Sequence, residues 1–555
     1  KPRRLRGPGR PRGSRKERDG LHGLLLRGPR QTAARRMPVF PREQETNGAR
    51  EDRSRAANEP KATAPGAAKR IEEGNPLLPA QPERKRVLGL VAMSAIVWFN
   101  VSGGPSGSEE IFAAAGPIAG FGLMLIFVAC YSIPQALMTA ELSTTFADNG
   151  GYSLWVKAAF GDFWAVQESF WSLSSGVADS ALYPVLFYHV CQKLVRWAAG
   201  YGTGLEQTSC TVSLLQGARF GLLGHHRNPM LCAATDGMCA AEWGCKVLIL
   251  LVFAGPNLVS TKLVGTSLVS LVIFVMSPFV VLVVWGSWQM RWDFLTIPPK
   301  GDTDYVELLG VLYWSTTGFD SASTIAGEIE SPERTLPRAL ALAIVSVVVC
   351  TGLPLLVAAG NDRFWRCWEE GSINAVMAQL CGPWLGIWAV ISSAVGNYGM
   401  FSAEFLEDTH QLEGMACVGL APRIFQARSK RFGTPVNAML FQLVLLAFLV
   451  GLDFTAILCV DNFFSAIADM LEFLACISLR YSQPDLPRPF RIWGPNWVVV
   501  AVMMPPLAIV LVLAYATVRE SALTAALCFA GVAVGVLVSL VPALGRWLGG
   551  KLSDG

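Results

Sequence analysis

The sequence is short of charged residues and of histidine. Only 16% of its 555 residues are Asp, Glu, Lys or Arg, and five are His, whereas soluble domains carry about 25% charged residues. It also has no Gly-rich phosphate loop, no serine elbow and no zinc signature in its apolar segments. These absences argue against a soluble enzyme. We expect no catalysis, no cofactor, no resident metal and no nucleic-acid partner.

Long apolar runs, in contrast, fill most of the chain. Hydrophobic residues make up 52% of the sequence. Many runs reach the roughly 20 residues that a helix needs to cross about 30 Å of hydrocarbon. The sequence therefore predicts an all-α polytopic membrane protein whose partner is the lipid bilayer. The twelve candidate spans cover residues 87–113, 117–146, 161–192, 247–262, 264–288, 305–329, 337–359, 384–411, 434–451, 455–480, 495–517 and 523–545.

The positive charge is concentrated in the first 86 residues. Residues 1–86 hold 23 Lys and Arg against 10 Asp and Glu, a local charge of +13, and lack a sustained apolar pattern. Such a composition predicts a disordered basic cytoplasmic tail, with an organelle transit peptide as the alternative because the first part is Arg-rich and acid-poor. A transporter domain is expected over 87–545, followed by a short cytoplasmic tail at 546–555.

Orientation follows from the basic residues between the spans. With the N-terminus inside, the inner segments after residue 86 carry 13 Lys and Arg against 10 outside, and half of the outer ones fall in one long loop. The positive-inside rule therefore favours cytoplasmic N- and C-termini. The plasma membrane is the first choice for the location, and an endomembrane or a plastid envelope is the alternative.

The long outer loop at about 193–246, with an insertion at 201–245, holds a group of cysteines. On an oxidising side these would form one or two disulfides, and four cysteines allow three full pairings. No paired histidines follow at metal-binding spacing, so the sequence favours disulfides over a metal site. The cysteines are Cys210, Cys232, Cys239 and Cys245.

Two of the membrane-length runs are interrupted by helix breakers and carboxylates. Span 1 contains "NVSGGPSGSEE" at 100–110, and span 6 contains "STTGFDSAST" at 315–324. Backbone can leave the helix at bilayer depth only where protein or a water-filled cavity covers it. Because the two breaks lie five spans apart, they indicate two five-span halves with a solute site between them. The alternative is a close helix-packing face in span 1 and a surface loop in span 6.

Several further motifs carry a family resemblance. The stretches "NGGYSLWVKAAFG", "SGVADSALYPVLF", "STIAGEIESPERTLPRAL", "DMLEF" and "SQPDLPRPFRI" closely resemble the polyamine-uptake branch of the amino acid–polyamine–organocation transporters, as found in plants. The similarity runs from about Arg86 to about Thr517. It implies twelve spans with a 5+5 inverted repeat, discontinuous helices 1 and 6, two extra helices, and secondary transport of small amines or amino acids.

The chemistry of the first break favours a cationic solute. An amino acid presents a carboxylate, which an open helix N-terminus binds, whereas a polyamine presents only ammonium groups. Ser106 and Glu109 fit a capping box, and Glu110 adds a second negative charge in the same turn. A cation is attracted there and a carboxylate is not, unless both glutamates point to the outer water.

Intramembrane carboxylates supply the remaining site candidates, since such groups are functional hypotheses by default. Asp320 lies in the second break, where amine binding, coupling or gating, and capping are the alternatives. Asp179 lies in span 3, one turn before Tyr183 on the same face. The predicted binding residues are Ser102, Gly103, Gly104, Glu109, Glu110, Asp179, Tyr183, Trp314, Phe319, Asp320, Ser321 and Asn397. The predicted proton-coupling candidates are Asp179, Asp320, Glu141 and Glu404.

Span 5 has no Lys that could stand in for a sodium ion, so carboxylates are the better coupling groups. The sequence thus predicts uptake of small cationic amines by alternating access, with protons as the coupling partner and with exchange or electrically driven uptake as the alternatives. The alternatives are a transporter of neutral or cationic amino acids and a nutrient sensor that does not transport.

Overall fold

The computed structural model describes residues 85–198, 237–299, 305–369, 371–452, 454–520 and 522–553, all within the compact unit Ala64–Gly555. This part of the chain is helical, and its β structure is one isolated bridge between Leu88 and Ile329. The α-helices, in chain order, are α1 (Leu90–Val101), α2 (Glu109–Ala115), α3 (Pro117–Phe127), α4 (Ile133–Thr145), α5 (Gly151–Phe160), α6 (Asp162–Ala198), α7 (Gly237–Val259), α8 (Thr261–Gly286), α9 (Trp292–Leu295), α10 (Tyr305–Thr316), α11 (Pro332–Val347), α12 (Leu353–Asn361), α13 (Ser372–Cys381), α14 (Pro383–Cys417), α15 (Val436–Leu449), α16 (Phe454–Ser482), α17 (Asn496–Glu520) and α18 (Ala522–Ser553).

These helices combine into twelve units that match the predicted spans within the described residues. Three units are composite: α1 with α2, α3 with α4, and α11 with α12; in a fourth, α10 continues into the 3₁₀-helix Ser321–Glu328. By length and composition alone, six described segments are apolar enough to cross a membrane. The others are shorter or carry buried polar groups. The prediction of a multi-span helical membrane protein is confirmed.

The two breaks occur where the sequence predicts them. In the first, Gly103 and Gly104 have φ angles of 58° and 126°, a region that side chains with a Cβ rarely enter. In the second, Gly318 has a φ of 101°. The chain leaves the helix at both points, so each broken unit exposes backbone groups in the middle of the bundle.

The elements that follow the two breaks repeat in the same order. A π-helical turn interrupts the next unit in each half, at Val128–Ser132 and at Val348–Gly352. Short helices α5 and α13 come next, each ten residues long. Long helices α6 and α14 then span 37 and 35 residues. Since each half contains five crossings, an odd number, the second half runs opposite to the first.

Four glycines mark the same joints in both halves. Gly150 and Gly371 cap the N-termini of α5 and α13, and Gly161 and Gly382 separate these short helices from the long ones. All four have positive φ angles. The repeat is therefore visible in the backbone, although the residue types between the joints differ.

Polar residues lie at the centre of the bundle and apolar ones around them. Helix α6 packs against both α14 and α16, and α11 packs against α1. Buried carboxylates, hydroxyls and amides concentrate on α6, α14 and α16. We call the two ends of the bundle the Glu109 end, which carries α2 and α13, and the Arg428 end, which carries α5 and the connection after α14.

The remaining domain predictions lie mostly outside this part of the chain. The tail predicted at 1–86 is described only at Lys85 and Arg86, and the insertion at 201–245 only from residue 237. Both stay predictions.

Candidate cation-binding site

A cavity of about 90 Å³, room for several water molecules, lies between the two breaks. Most of its wall comes from the break after α1, the break after α10, the middle of α6 and one face of α16. Gln135 of α4, Tyr152 of α5 and two residues of α14 complete it. The breaks therefore open onto this cavity, as the paired interruptions predict.

Six carboxylates line the cavity; five of them are at least nine-tenths buried, and Asp179 is partly exposed. Among the described lining residues there is no Lys, Arg or His. A buried carboxylate without a nearby cation is costly. The lining is thus suited to a solute or ion of positive charge. The six are Asp179, Asp320, Glu404, Asp461, Asp469 and Glu472.

Asp179 is held by aromatic side chains of two helices. Tyr183, one turn further along α6, donates a hydrogen bond to Oδ2. Trp314 of α10 donates from Nε1 to Oδ1 at 3.4 Å. Asp461 faces the same region from α16 and accepts a hydrogen bond of 2.6 Å from Ser175. The indole and phenol thus fix a carboxylate at the wall of the cavity.

Asp320 and Asp469 share one amide. Gln135 of α4 donates from Nε2 to Asp320 at 2.6 Å and to Asp469 at 3.5 Å. Asp469 also accepts from Tyr131 and, at 2.9 Å, from Tyr313. Tyr131 lies in the first π-helical turn, which is a frequent place for functional side chains.

The carboxylates of Asp320, Asp469 and Glu472 converge. One oxygen of each lies within 4.8 Å of the others. With an effective dielectric constant of about 20, two full charges at that separation repel by about 3 kcal/mol. Positive charge placed among them relieves this repulsion, which favours a bound cation or a proton.

The second π-helical turn contributes to the first break. Thr351 and Ser102 join their hydroxyl groups at 2.7 Å, and Ser102 also donates to the carbonyl of Gly104 at 3.2 Å. The hydroxyls hold the non-helical backbone of the break in place.

About half of the predicted binding residues line the cavity. Those that do are Ser102, Asp179, Tyr183, Trp314, Asp320 and Ser321, together with the coupling candidate Glu404. The lining does not include Gly103, Gly104, Glu109, Glu110, Phe319 or Asn397. Phe319 instead packs in the apolar core with Ile325 and Leu340.

The predicted capping box is wrong. Helix α2 begins at Glu109, after Ser108, and the hydroxyl of Ser106 pairs with Ser393 at 2.9 Å. The fully buried Glu109 accepts hydrogen bonds from the backbone N–H of Gly107 at 2.6 Å and of Gly371 at 3.0 Å. Its carboxylate thus links α2 to the start of α13 and does not face the cavity.

Glu141 lies in an ion pair away from the cavity. Arg480 donates to both of its carboxylate oxygens, and Arg488 lies 3.1 Å from one of them. The N–H of Ile492 also donates to this carboxylate at 2.8 Å. These partners occupy both carboxylate oxygens outside the cavity, which argues against the predicted role in carrying protons with the solute.

The predicted binding residues include none from α16, yet α16 supplies three of the six carboxylates. The signal was present: Asp461, Ser465, Asp469 and Glu472 follow one another at spacings of four, four and three, which places them on one helix face. Gln135 was missed because a lone amide in an apolar run has no pattern of its own.

The Arg428 end is closed by a charged network. Arg428 donates to Glu413 at 2.7 and 2.6 Å and to Glu328 at 2.7 Å. Asn149, just before α5, donates to both glutamates at 3.3 and 3.4 Å. Burial lowers the pKa of Arg428, but the hydrogen bonds and charges of the two glutamates raise it above its usual range. The guanidinium therefore stays charged, and the network of hydrogen bonds around it connects four segments of the chain.

The structure describes only some of the cysteines that were predicted to form disulfides in the outer loop. Cys245 is an exposed free thiol, and the side chains of Cys210, Cys232 and Cys239 lie outside the described residues. Cys367, which the sequence analysis did not single out, is disulfide-bonded.

Paired helix breaks around a buried polar cavity, in two inverted five-span halves, define a membrane carrier for small solutes. Comparison with known proteins gives the family. Residues 88–538 match the model of the amino acid permease family, and the chain belongs to that family.

Three relatives show the range of the similarity. Polyamine transporter PUT1 of Oryza sativa subsp. japonica is 33% identical over 474 residues, 84% of this chain and 81% of the relative. Polyamine transporter RMV1 of Arabidopsis thaliana is 32% identical over 421 residues, 75% of this chain and 77% of the relative. A probable agmatine/putrescine antiporter, AguD, of Lactococcus lactis is 20% identical, over 72% of this chain and 82% of the relative.

Proposed function

We propose that this chain is a secondary transporter that takes up polyamines by alternating access. The observation that carries the proposal is the cavity between the two breaks, which six carboxylates line without a described basic side chain. An amino acid would bring its own carboxylate into this field and be repelled. A polyamine brings only ammonium groups and is attracted. The names of the relatives at 32% to 33% identity support the same substrate class.

The binding residues in this proposal are the predicted ones that line the cavity. Asp179 and Asp320 pair with ammonium groups, and Trp314 and Tyr183 offer aromatic faces to the same cation. Ser102 and Ser321 provide hydroxyls at the two breaks. Charge-assisted hydrogen bonds of this kind are about twice as strong as neutral ones.

We further propose that protons drive the uptake. Asp179, Asp320 and Glu404 are the candidates for carrying them, because all three line the cavity and none has a described cationic side chain beside it there. For a proton and the solute to cross in the same direction, the proton occupies one carboxylate of the cavity while the solute is held by others. The Arg428 end faces the cytoplasm in this proposal, with both termini inside and the plasma membrane as the location.

The test is uptake of labelled putrescine and of labelled arginine into proteoliposomes that contain the purified chain, with and without a pH gradient. We expect putrescine uptake that the gradient stimulates. Asp320→Asn should abolish it, whereas Asp162→Asn, at an exposed carboxylate paired with Lys157, should not. Arginine uptake without putrescine uptake would make the chain an amino acid transporter, and no flux of either would favour a sensor.

A further inference from the structure

The three-carboxylate cluster of Asp320, Asp469 and Glu472 has acceptors that no described donor satisfies. Oε2 of Glu472 and Oε1 of Gln135 are buried, and neither has a hydrogen-bond partner in the described part of the chain. Both side chains are only 1% exposed. Gln135 is held within the cluster because its amide nitrogen donates to both aspartates. Buried polar atoms usually have a hydrogen-bond partner, which at these two acceptors would be a water molecule, an ion or a donor group of the solute.

The missing partner must donate several hydrogen bonds and carry positive charge. A primary ammonium group has three N–H donors in tetrahedral directions. When it bonds three carboxylate oxygens at about 2.8 Å, those oxygens lie about 4.6 Å apart. The oxygens of the cluster lie within 4.8 Å of one another, which accommodates this arrangement.

We propose that the cluster and Oε1 of Gln135 form a second cation subsite, which binds one ammonium group of a polyamine while Asp179 and Asp461 bind another. This inference rests on the proposed function, since it assigns two parts of the same cavity to two charges of one substrate. It makes two separated ammonium groups, and not positive charge alone, the feature that the transporter recognises.

Helix α16 determines the distance between the two subsites. Asp461 and Asp469 are eight residues apart on one face, so their α-carbons lie about 12 Å apart along the helix axis. Both side chains line the cavity. An alkyl chain between two ammonium groups can connect the two ends. In this proposal a monoamine binds at Asp179 and Asp461 and leaves the cluster without a cation.

The experiment compares binding of 1,4-diaminobutane, spermidine and n-butylamine to the full chain in lipid nanodiscs. The wild type should bind both polyamines at least about tenfold more tightly than n-butylamine. Glu472→Gln and Asp469→Asn should each weaken polyamine binding about tenfold or more, and should change n-butylamine binding less than about twofold. Asp162→Asn should leave all three affinities unchanged.

Retained binding of n-butylamine shows that a variant is folded. Equal losses for polyamines and n-butylamine, or no loss for either, would overturn the subsite while polyamine uptake by the wild type stands. Absence of polyamine binding and uptake in the wild type would overturn the proposed function itself. Stabilisation by Mn²⁺ or Ca²⁺ alone that Glu472→Gln removes and 1,4-diaminobutane does not compete with would make the cluster a metal site.

Discussion

Arg428→Met should open the Arg428 end of the transporter. The guanidinium donates three hydrogen bonds of 2.6 to 2.7 Å to two carboxylates. Glu413 and Glu328 are 1% and 4% exposed, so the variant removes the guanidinium from between two buried carboxylates. Removing one partner of a buried ion pair costs about 3 to 5 kcal/mol.

The lower figure applies here because the Arg428 side chain is 24% exposed, and water weakens its interactions. About 3 kcal/mol corresponds to a rise of roughly two orders of magnitude in the ratio of open to closed molecules. The two glutamates also accept hydrogen bonds from Asn149 of the first half, so their loss of the guanidinium destabilises the closed state of this end.

A cysteine introduced at a buried position measures the ratio of open to closed molecules. Ser153 of α5 is fully buried, and Ser153→Cys changes it little in size. The rate at which a polar thiol reagent modifies this cysteine follows the open population when opening is faster than the reaction. Arg428→Met should raise that rate by about two orders of magnitude, and Lys430→Met, at an exposed cation of the same connection, should not. Equal rates in the two variants would refute the reasoning.

Three further variants test individual contacts. Asp179→Asn keeps the shape but removes the charge, so the KM for polyamine uptake should rise about tenfold or more, with little change in thermal midpoint. Gly318→Ala should lower both uptake and thermal midpoint, because a Cβ at φ 101° would lie 3.2 Å from the carbonyl oxygen of Asn100 and the strain exceeds about 1 kcal/mol. Glu141→Gln leaves Arg480 buried without its anion and should cost about 3 to 5 kcal/mol of stability, seen in thermal unfolding, while the KM of the folded protein stays the same.

The span pattern was predictable because a bilayer imposes length and hydropathy on every crossing. The predicted start of span 3 at 161 and the observed start of α6 at Asp162 differ by one residue. The breaks were predictable for a similar reason, since Gly103-Gly104-Pro105 cannot continue a helix.

The side-chain partners were less predictable, because they depend on which residues meet across the bundle. Glu109 and Glu141 both read as candidate functional carboxylates in sequence. The structure gives Glu109 a pair of backbone N–H donors, and it gives Glu141 two arginines, Arg480 at the end of α16 and Arg488 in the connection after it. Conversely, Asp469 is positioned in the cavity by hydrogen bonds from Tyr131 and Gln135, which lie more than 300 residues away in the sequence.

The caps of the two short helices have a consequence for the direction of transport. The N–H of Gly371, before α13, bonds to Glu109 of the first half at 3.0 Å, and the N–H of Gly150, before α5, bonds to the carbonyl of Thr324 of the second half at 3.0 Å. Each half thus holds the broken helix of the other half by one hydrogen bond, and the two bonds lie at opposite ends of the bundle. The acceptors differ, a carboxylate at one end and a backbone carbonyl at the other, so the two ends open with different free energies. A carrier's preference for one open end does not change the equilibrium it approaches, so the gradients across the membrane set the direction of net transport.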